Sequence, residues 1–278
     1  EEGSEEVSNG SFSQEGSDLI TNGNFSNGST DWILDSGWSV SDNKALCDGT
    51  NLAYITQTAV LTTGKSYKVQ FDIVDYTSGS VKYRDNGFVS GQSFSGVGSY
   101  TDYVVAGGGQ FRLMSENFIG SIDNVSVREV GQNWEFNSTA ILTANGMNIT
   151  TGGYIRQDVV TIGKSYKLTY DIVSYTSGDI RVYDGTSQGS IPTSVGSNTF
   201  NFTAGGSVFF IQSNSASVNL VITNISIKEV GQNWVLDANW SIAENKATSD
   251  GSVNGFIKTS SNLFESGKTY KVGLTVSD

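Results

Sequence analysis

"GKSYKVQFDIVDYTSG" (Gly64–Gly79) returns as "GKSYKLTYDIVSYTSG" (Gly163–Gly178), with twelve of the sixteen positions identical; a shorter echo, "GKTYKVGLTVSD", spans Gly267–Asp278. Each copy alternates with a period of two. Tyr67, Val69, Phe71 and Ile73 point one way and Lys68, Gln70 and Asp72 the other. Tyr166, Leu168, Tyr170 and Ile172 repeat the pattern, as do Tyr270, Val272, Leu274 and Val276. Such alternation predicts an antiparallel strand with one dry face. A slip of one residue would turn the apolar set to solvent, which explains why the stretch keeps its spelling.

Working outward, the repetition covers most of the chain. "VREVGQNW" (Val127–Trp134) recurs as "IKEVGQNW" (Ile227–Trp234), and "DWILDSGWSVSDNKA" (Asp31–Ala45) as "NWVLDANWSIAENKA" (Asn233–Ala247). "YVVAGGGQFRL" (Tyr103–Leu113) parallels "NFTAGGSVFFI" (Asn201–Ile211). A period near 100 residues exceeds solenoid repeats and suits units that enclose their own cores. The predicted organisation is an acidic linker or tail at 1–17, β-sandwiches at 18–130 and 131–230, and a partial sandwich at 231–278. The last should have an open edge and an unfinished core. "TSGS", "RDNG", "TSGD" and "YDGT" read as turns. The expected fold is all-β: tandem antiparallel β-sandwiches, most simply jelly rolls, the third incomplete.

Charge and composition narrow the function. The net charge is −12, and half of it lies in the first 18 residues, which hold no base. No basic stripe for phosphate contacts is present, so nucleic acid is not an expected partner. No apolar run approaches the length of a membrane helix. The single cysteine, Cys47, cannot close an intrachain disulfide.

"LITNGNF" (Leu19–Phe25) and "SIDNVSVREV" (Ser121–Val130) resemble the first and last strands of jelly-roll carbohydrate-binding modules of the galactose-binding-like superfamily. The closing strand returns in unit two as "VITNISIKEV" (Val221–Val230), but no "NGNF" precedes it there. The resemblance implies a structural calcium ion near Asp123 in unit one; Ser26 stands where the family has an acid, and Thr223 replaces Asp123 in unit two. Arrays joined by "EVGQNW" also resemble tail-fibre and virion-surface proteins of bacteriophages. That likeness implies a virion-surface or extracellular location, with virion proteins and cell-surface glycans as partners and a homo-oligomeric state left open.

Catalysis is not expected. Without histidine there is no Ser-His-Asp or Cys-His arrangement. Asp72, Asp75 and Asp85 are the carboxylates that could serve a glycosidase, yet Asp72 recurs as Asp171 on the wet face of a scaffold strand. Sugar binding needs an aromatic platform with polar groups beside it. Lys82, Tyr83, Arg84 and Asp85 in unit one and Arg181, Tyr183 and Asp184 in unit two offer that mixture, as do Trp38 and Trp240, whose counterpart in unit two is Ala140. The strand residues read more simply as a solvated outer face with ordinary cross-strand pairs. Trp32, Trp134 and Trp234 follow each link and read as core or interdomain anchors. The expected function is a non-enzymatic structural or adhesion role on a phage virion, touching host glycans. The rival is a bacterial surface adhesin, or the carbohydrate-binding region of a larger extracellular enzyme.

Overall fold

The computed structural model describes residues 2–237, 239–243, 246–251, 254–259 and 263–276, and among them are strands and turns but no helix. Strands β1 (Glu2–Glu5) and β2 (Glu15–Asp18) open the chain. After them come β3 (Ile33–Leu34), β4 (Trp38–Ser41), β5 (Lys44–Asp48), β6 (Tyr54–Gln57), β7 (Ser66–Arg84), β8 (Ser90–Phe94), β9 (Gly98–Val105) and β10 (Phe111–Val130). The order repeats as β11 (Glu135–Phe136), β12 (Ala140–Thr143), β13 (Gly146–Thr150), β14 (Tyr154–Gln157), β15 (Ser165–Ser177), β16 (Ile180–Tyr183), β17 (Ser187–Ile191), β18 (Gly196–Thr203), β19 (Phe209–Ser213) and β20 (Asn219–Val230). A third set begins with β21 (Trp234–Leu236), β22 (Trp240–Ala243), β23 (Lys246–Ser249) and β24 (Ile257–Thr259).

The repeated stretch is the scaffold strand of units one and two, whereas its third copy forms no strand over residues 267–276. Tyr67, Val69, Phe71 and Ile73 on β7, and Tyr166, Leu168, Tyr170 and Ile172 on β15, are all buried. The two strands lie in different sheets. The "GKSY" that units one and two share closes a turn by hydrogen bonds. Gly64 and Gly163 take left-handed φ values of 84° and 81° and donate to the carbonyls of Ala106 and Ala204, both at 2.7 Å. The hydroxyls of Tyr67 and Tyr166 accept the N–H of Thr62 (2.8 Å) and Thr161 (2.9 Å). A buried phenol thereby finds a partner while its ring fills the core.

Each unit is an antiparallel sandwich. In unit two one layer runs β12-β13-β20-β15-β18 and the other β11-β14-β19-β16-β17, and their facing side chains form one core. Unit one repeats this arrangement, but β7 and β10 run without interruption through both layers, pairing with each other from Ser66↔Val130 to Tyr83↔Leu113. "TSGS" is therefore not a hairpin turn as expected. Register shifts along the pair and the left-handed Gly79 (φ 75°) bend the strand from one layer to the other.

The first residues are not a tail. β1 pairs with β20 (Glu2↔Val230, Glu5↔Lys228) as β2 pairs with β10 (Glu15↔Val130, Asp18↔Arg128). Val7 and Phe12 belong to the core of unit two, and Ile20 and Phe25 to that of unit one. Residues 2–13 thus supply the opening that unit two lacks at its own boundary. Three acids of the opening strands meet a base or a backbone donor. Glu2 pairs with Lys167 (2.6 Å) and Lys228 (3.5 Å), as Glu15 pairs with Lys68 (2.7 Å). A carboxylate oxygen of Glu5 accepts the N–H groups of Val7 (3.0 Å) and Ile227 (2.8 Å).

The third set forms two separate strand pairs, β21-β24 and β22-β23. Val272, Leu274 and Val276, which should face a core, are 73%, 79% and 83% exposed, although Tyr270 still accepts the N–H of Glu265 at 2.9 Å.

Candidate functional site

The layer β11-β14-β19-β16-β17 of unit two turns one set of side chains to the core and the other outward. Ile155, Phe209, Ile211, Ile180 and Val182 face in. The register Arg156↔Phe210↔Tyr183 and Tyr154↔Gln212↔Arg181 then sets six outward residues in two rows, all of them half-buried. The Phe210 ring lies 5.5 Å from that of Tyr154 and 5.8 Å from that of Tyr183, edge-to-face with both. Arg156 stacks over Phe210 at 5.3 Å and pairs with Asp158 at 2.9 Å and Glu135 at 3.3 Å. Oriented to suit its donors, the Gln212 amide oxygen accepts from Nε and Nη2 of Arg181 at 2.8 and 2.7 Å. The result is a line of rings across three strands, flanked by planar polar groups that can donate and accept.

Arg181 and Tyr183 stand in this face, but Asp184 does not. It is fully buried and fixes its turn, accepting from the N–H groups of Thr186 (2.9 Å) and Gly205 (2.8 Å) and from Gln188 (2.8 Å). Asp85 is its counterpart, also fully buried, accepting from Tyr83 (3.0 Å), Val89 (3.0 Å) and Gly107 (2.6 Å). A buried carboxylate surrounded by donors is structural, and neither is free to meet a sugar. Tyr83 also points inward and is fully buried; burial, then the adjacent Asp85 charge, pushes its phenol pKa up. Trp38 is a core residue too, 6% exposed, donating to the carbonyl of Ala53 at 3.2 Å. Trp240 lies half-buried on β22 opposite Ser249.

Counting from the structural aspartates explains the mistaken tyrosine. Tyr83 is two residues before Asp85 and Tyr183 one residue before Asp184, so the two rings leave on opposite faces. The true counterparts are Arg84 for Tyr183 and Lys82 for Arg181. In unit one the set opposite the core is Tyr54, Met114 and Lys82 with Thr56, Arg112 and Arg84, by the pairings Met114↔Tyr54, Met114↔Lys82 and Arg112↔Thr56, but Met114 and Thr56 are themselves buried and only the other four reach the surface. Lys82 pairs with Glu116, which also accepts from Ser80 (2.7 Å) and Ser93 (2.6 Å). Burial alone would raise the Glu116 pKa, but the hydrogen bonds from Lys82, Ser93 and Ser80 and the Lys82 charge hold it at about 2.

Tyr154, Phe210, Arg156 and Gln212 were missed in the sequence. Their signal was the polar or aromatic residue alternating with the buried Ile155, Phe209 and Ile211.

Asp123 brings no acidic cluster with it. Among the described residues no three acids or thiols gather as ligands, and an Asp123 oxygen accepts the Asn124 N–H at 2.7 Å. In the opening loop, the carbonyls of Gly28 and Thr30 are taken by the side-chain amide of Asn22 at 2.9 and 2.8 Å. An uncharged donor here performs the gathering that a cation would, so the residues do not fit the ion.

No protein-family model matches the chain, and no curated protein matches it. Among solved structures it is similar to the tandem CBM22-1-CBM22-2 domain of Xyn10C from Paenibacillus barcinonensis, with 10% identity over 78% of this chain and 99% of that one and a TM-score of 0.30. It is also similar to the tandem CBM51 modules of Sp3GH98, a family 98 glycoside hydrolase from Streptococcus pneumoniae (10% identity, 77% and 96% covered, TM-score 0.26). A Paenibacillus xanthan lyase overlaps 72% of this chain over 24% of its own length, at 15% identity and a TM-score of 0.23. These overlaps are loose and leave function to the geometry of the chain itself.

Proposed function

We propose that this chain is a non-catalytic glycan-binding region built of tandem sandwiches, with unit two as its principal binding unit. The observation that carries the reading is the line Tyr154–Phe210–Tyr183, bordered by Arg156, Arg181 and Gln212. Aromatic rings attract the C–H faces of sugars, and planar amide and guanidinium groups bond vicinal hydroxyls. The carboxylates on the scaffold strands are engaged in hydrogen bonds: Asp72 accepts from Asn124 and Asp171 from Asn224, both at 2.7 Å. That engagement supports a binding role over hydrolysis.

The chain would act outside the cell, as an appendage of a virion surface or of a bacterial adhesin or enzyme. Several weak sites on one array add through avidity. Binding of the whole chain to a panel of neutral and acidic polysaccharides tests the function. Phe210→Ala and Tyr183→Ala should each weaken the best ligand about tenfold, the order expected for one lost stacking contact. If no polysaccharide is retained, or if both variants bind like the parent, the reading is wrong. Labelled antibody on intact virions and on cell surfaces decides the setting.

A further inference from the structure

The outer face of unit one carries an arginine pair where unit two carries rings. Leu113 pairs with Tyr83, so the next outward residues, Arg112 on β10 and Arg84 on β7, stand across from one another, in the positions of Phe210 and Tyr183. Arg112 lies over the Tyr54 ring at 4.8 Å and Arg84 over the Phe88 ring at 5.5 Å.

Neither guanidinium forms an ion pair among the described residues, whereas Arg128 meets Glu15 and Asp18 and Arg156 meets Glu135 and Asp158. The Nε atoms of both Arg84 and Arg112 are shut from solvent with no hydrogen-bond partner. The nearest carboxylate along the chain, that of Asp85, is turned into the core and saturated; only its backbone carbonyl takes an Arg112 N–H. Lys82, the third cation of the face, is already matched by Glu116.

Like charges placed side by side without a counterion repel. This is an unusual arrangement in a chain with 28 acids and 16 bases, where a carboxylate partner was readily available. An anion seated between the two guanidinium groups removes the repulsion.

We propose that unit one binds an acidic sugar residue, a uronate whose carboxylate lies between Arg84 and Arg112. The inference rests on the glycan reading above. A planar carboxylate matches the guanidinium fork in a two-bond geometry that an ammonium group cannot offer. Half-buried Tyr54 and Phe88, which is 74% exposed, flank the pair and give a pyranose ring an apolar wall. The net charge of −12 opposes a dense polyanion, so the ligand is a mostly neutral glycan with isolated acidic residues.

The test is calorimetric titration of the whole chain. The probes are a xylo-oligosaccharide carrying one glucuronate, the same oligosaccharide with its carboxyl methyl-esterified, and a neutral xylo-oligosaccharide bearing one sulfate ester. The glucuronate form should bind at least about tenfold tighter than its ester, in line with a charge-assisted pair of hydrogen bonds. Arg84→Gln with Arg112→Gln should abolish that margin, and Arg84→Lys with Arg112→Lys should recover only part of it. Thermal unfolding of both double variants should match the parent. Equal binding of acid and ester, or a margin that survives the Gln pair, overturns the proposal, as does a preference for the sulfate ester. In those cases ester binding that remains sensitive to Phe210→Ala leaves the glycan reading standing. Absence of binding by all three probes and by the wider polysaccharide panel sinks both.

Discussion

Trp134 donates its indole N–H to the carbonyl of Asn9, 125 residues earlier in the chain, at 2.9 Å. Trp32 makes the same 2.9 Å bond to Asn22, only ten residues earlier. Each indole also lies 5.2 Å from a phenylalanine, Phe12 and Phe25 respectively. The two anchors are copies, one closed locally and the other across the molecule.

That symmetry separates the two units experimentally. Phe12→Ala should destabilise unit two by about 3–5 kcal/mol, the usual cost of emptying a buried ring, and leave unit one near its parent stability. Phe25→Ala should do the reverse. Hydrogen exchange followed on β15 and β7 distinguishes them; loss of protection in β7 upon Phe12→Ala would refute the assignment of residues 2–13 to unit two.

Gly10 and Gly23 are required for another reason. A Cβ at Gly10 would fall 1.8 Å from the carbonyl oxygen of Ile225, and one at Gly23 2.0 Å from that of Val125. The same backbones are joined by the N–H of Ile225 to Gly10 and of Val125 to Gly23, each at 2.9 Å. Gly10→Ala should therefore undock the opening segment from unit two, exposing residues 2–13 to protease while unit one resists digestion.

The bulge in each closing strand depends on an asparagine in the left-handed region, Asn124 (φ 52°) and Asn224 (φ 51°). Its amide is held by Asp72 or Asp171 at 2.7 Å. Asn224→Ala loses the bond and strains the backbone, at a cost of about 2 kcal/mol. Asn224→Gly keeps the conformation and should cost less. Chemical denaturation of the two variants measures the order, and equal losses would contradict the role given to φ.

Glu116 makes unit one sensitive to acid. Its native pKa, held at about 2, lies below the usual 4.5, so between these values the unfolded chain binds more protons than the folded one. Its stabilising contribution is full above pH 4.5 and is lost as pH falls toward 2. Glu116→Gln should flatten this part of the stability curve in unit one only, as read by melts from pH 6 to pH 2.5. A parent and variant with parallel curves would exclude the effect.

Residue spacing alone specifies the strands of the scaffold and their inward faces. A period of two is local information, and Tyr67 through Ile73 obey it whatever their partners are. The chain also spells the opening segment twice, in "EGSEEVSNGSF" and "EGSDLITNGNF" thirteen residues apart. That the first copy completes unit two emerges from the folded chain, because β1 and β20 are joined by hydrogen bonds between strands more than 200 residues apart, and no local pattern encodes such a pairing. Tertiary structure likewise decided which tyrosine faces solvent. Tyr83 and Tyr183 occur in similar words, but side-chain direction alternates along a strand, so the register fixed by the turns at Asp85 and Asp184 sends one ring into the core and the other onto the outer face.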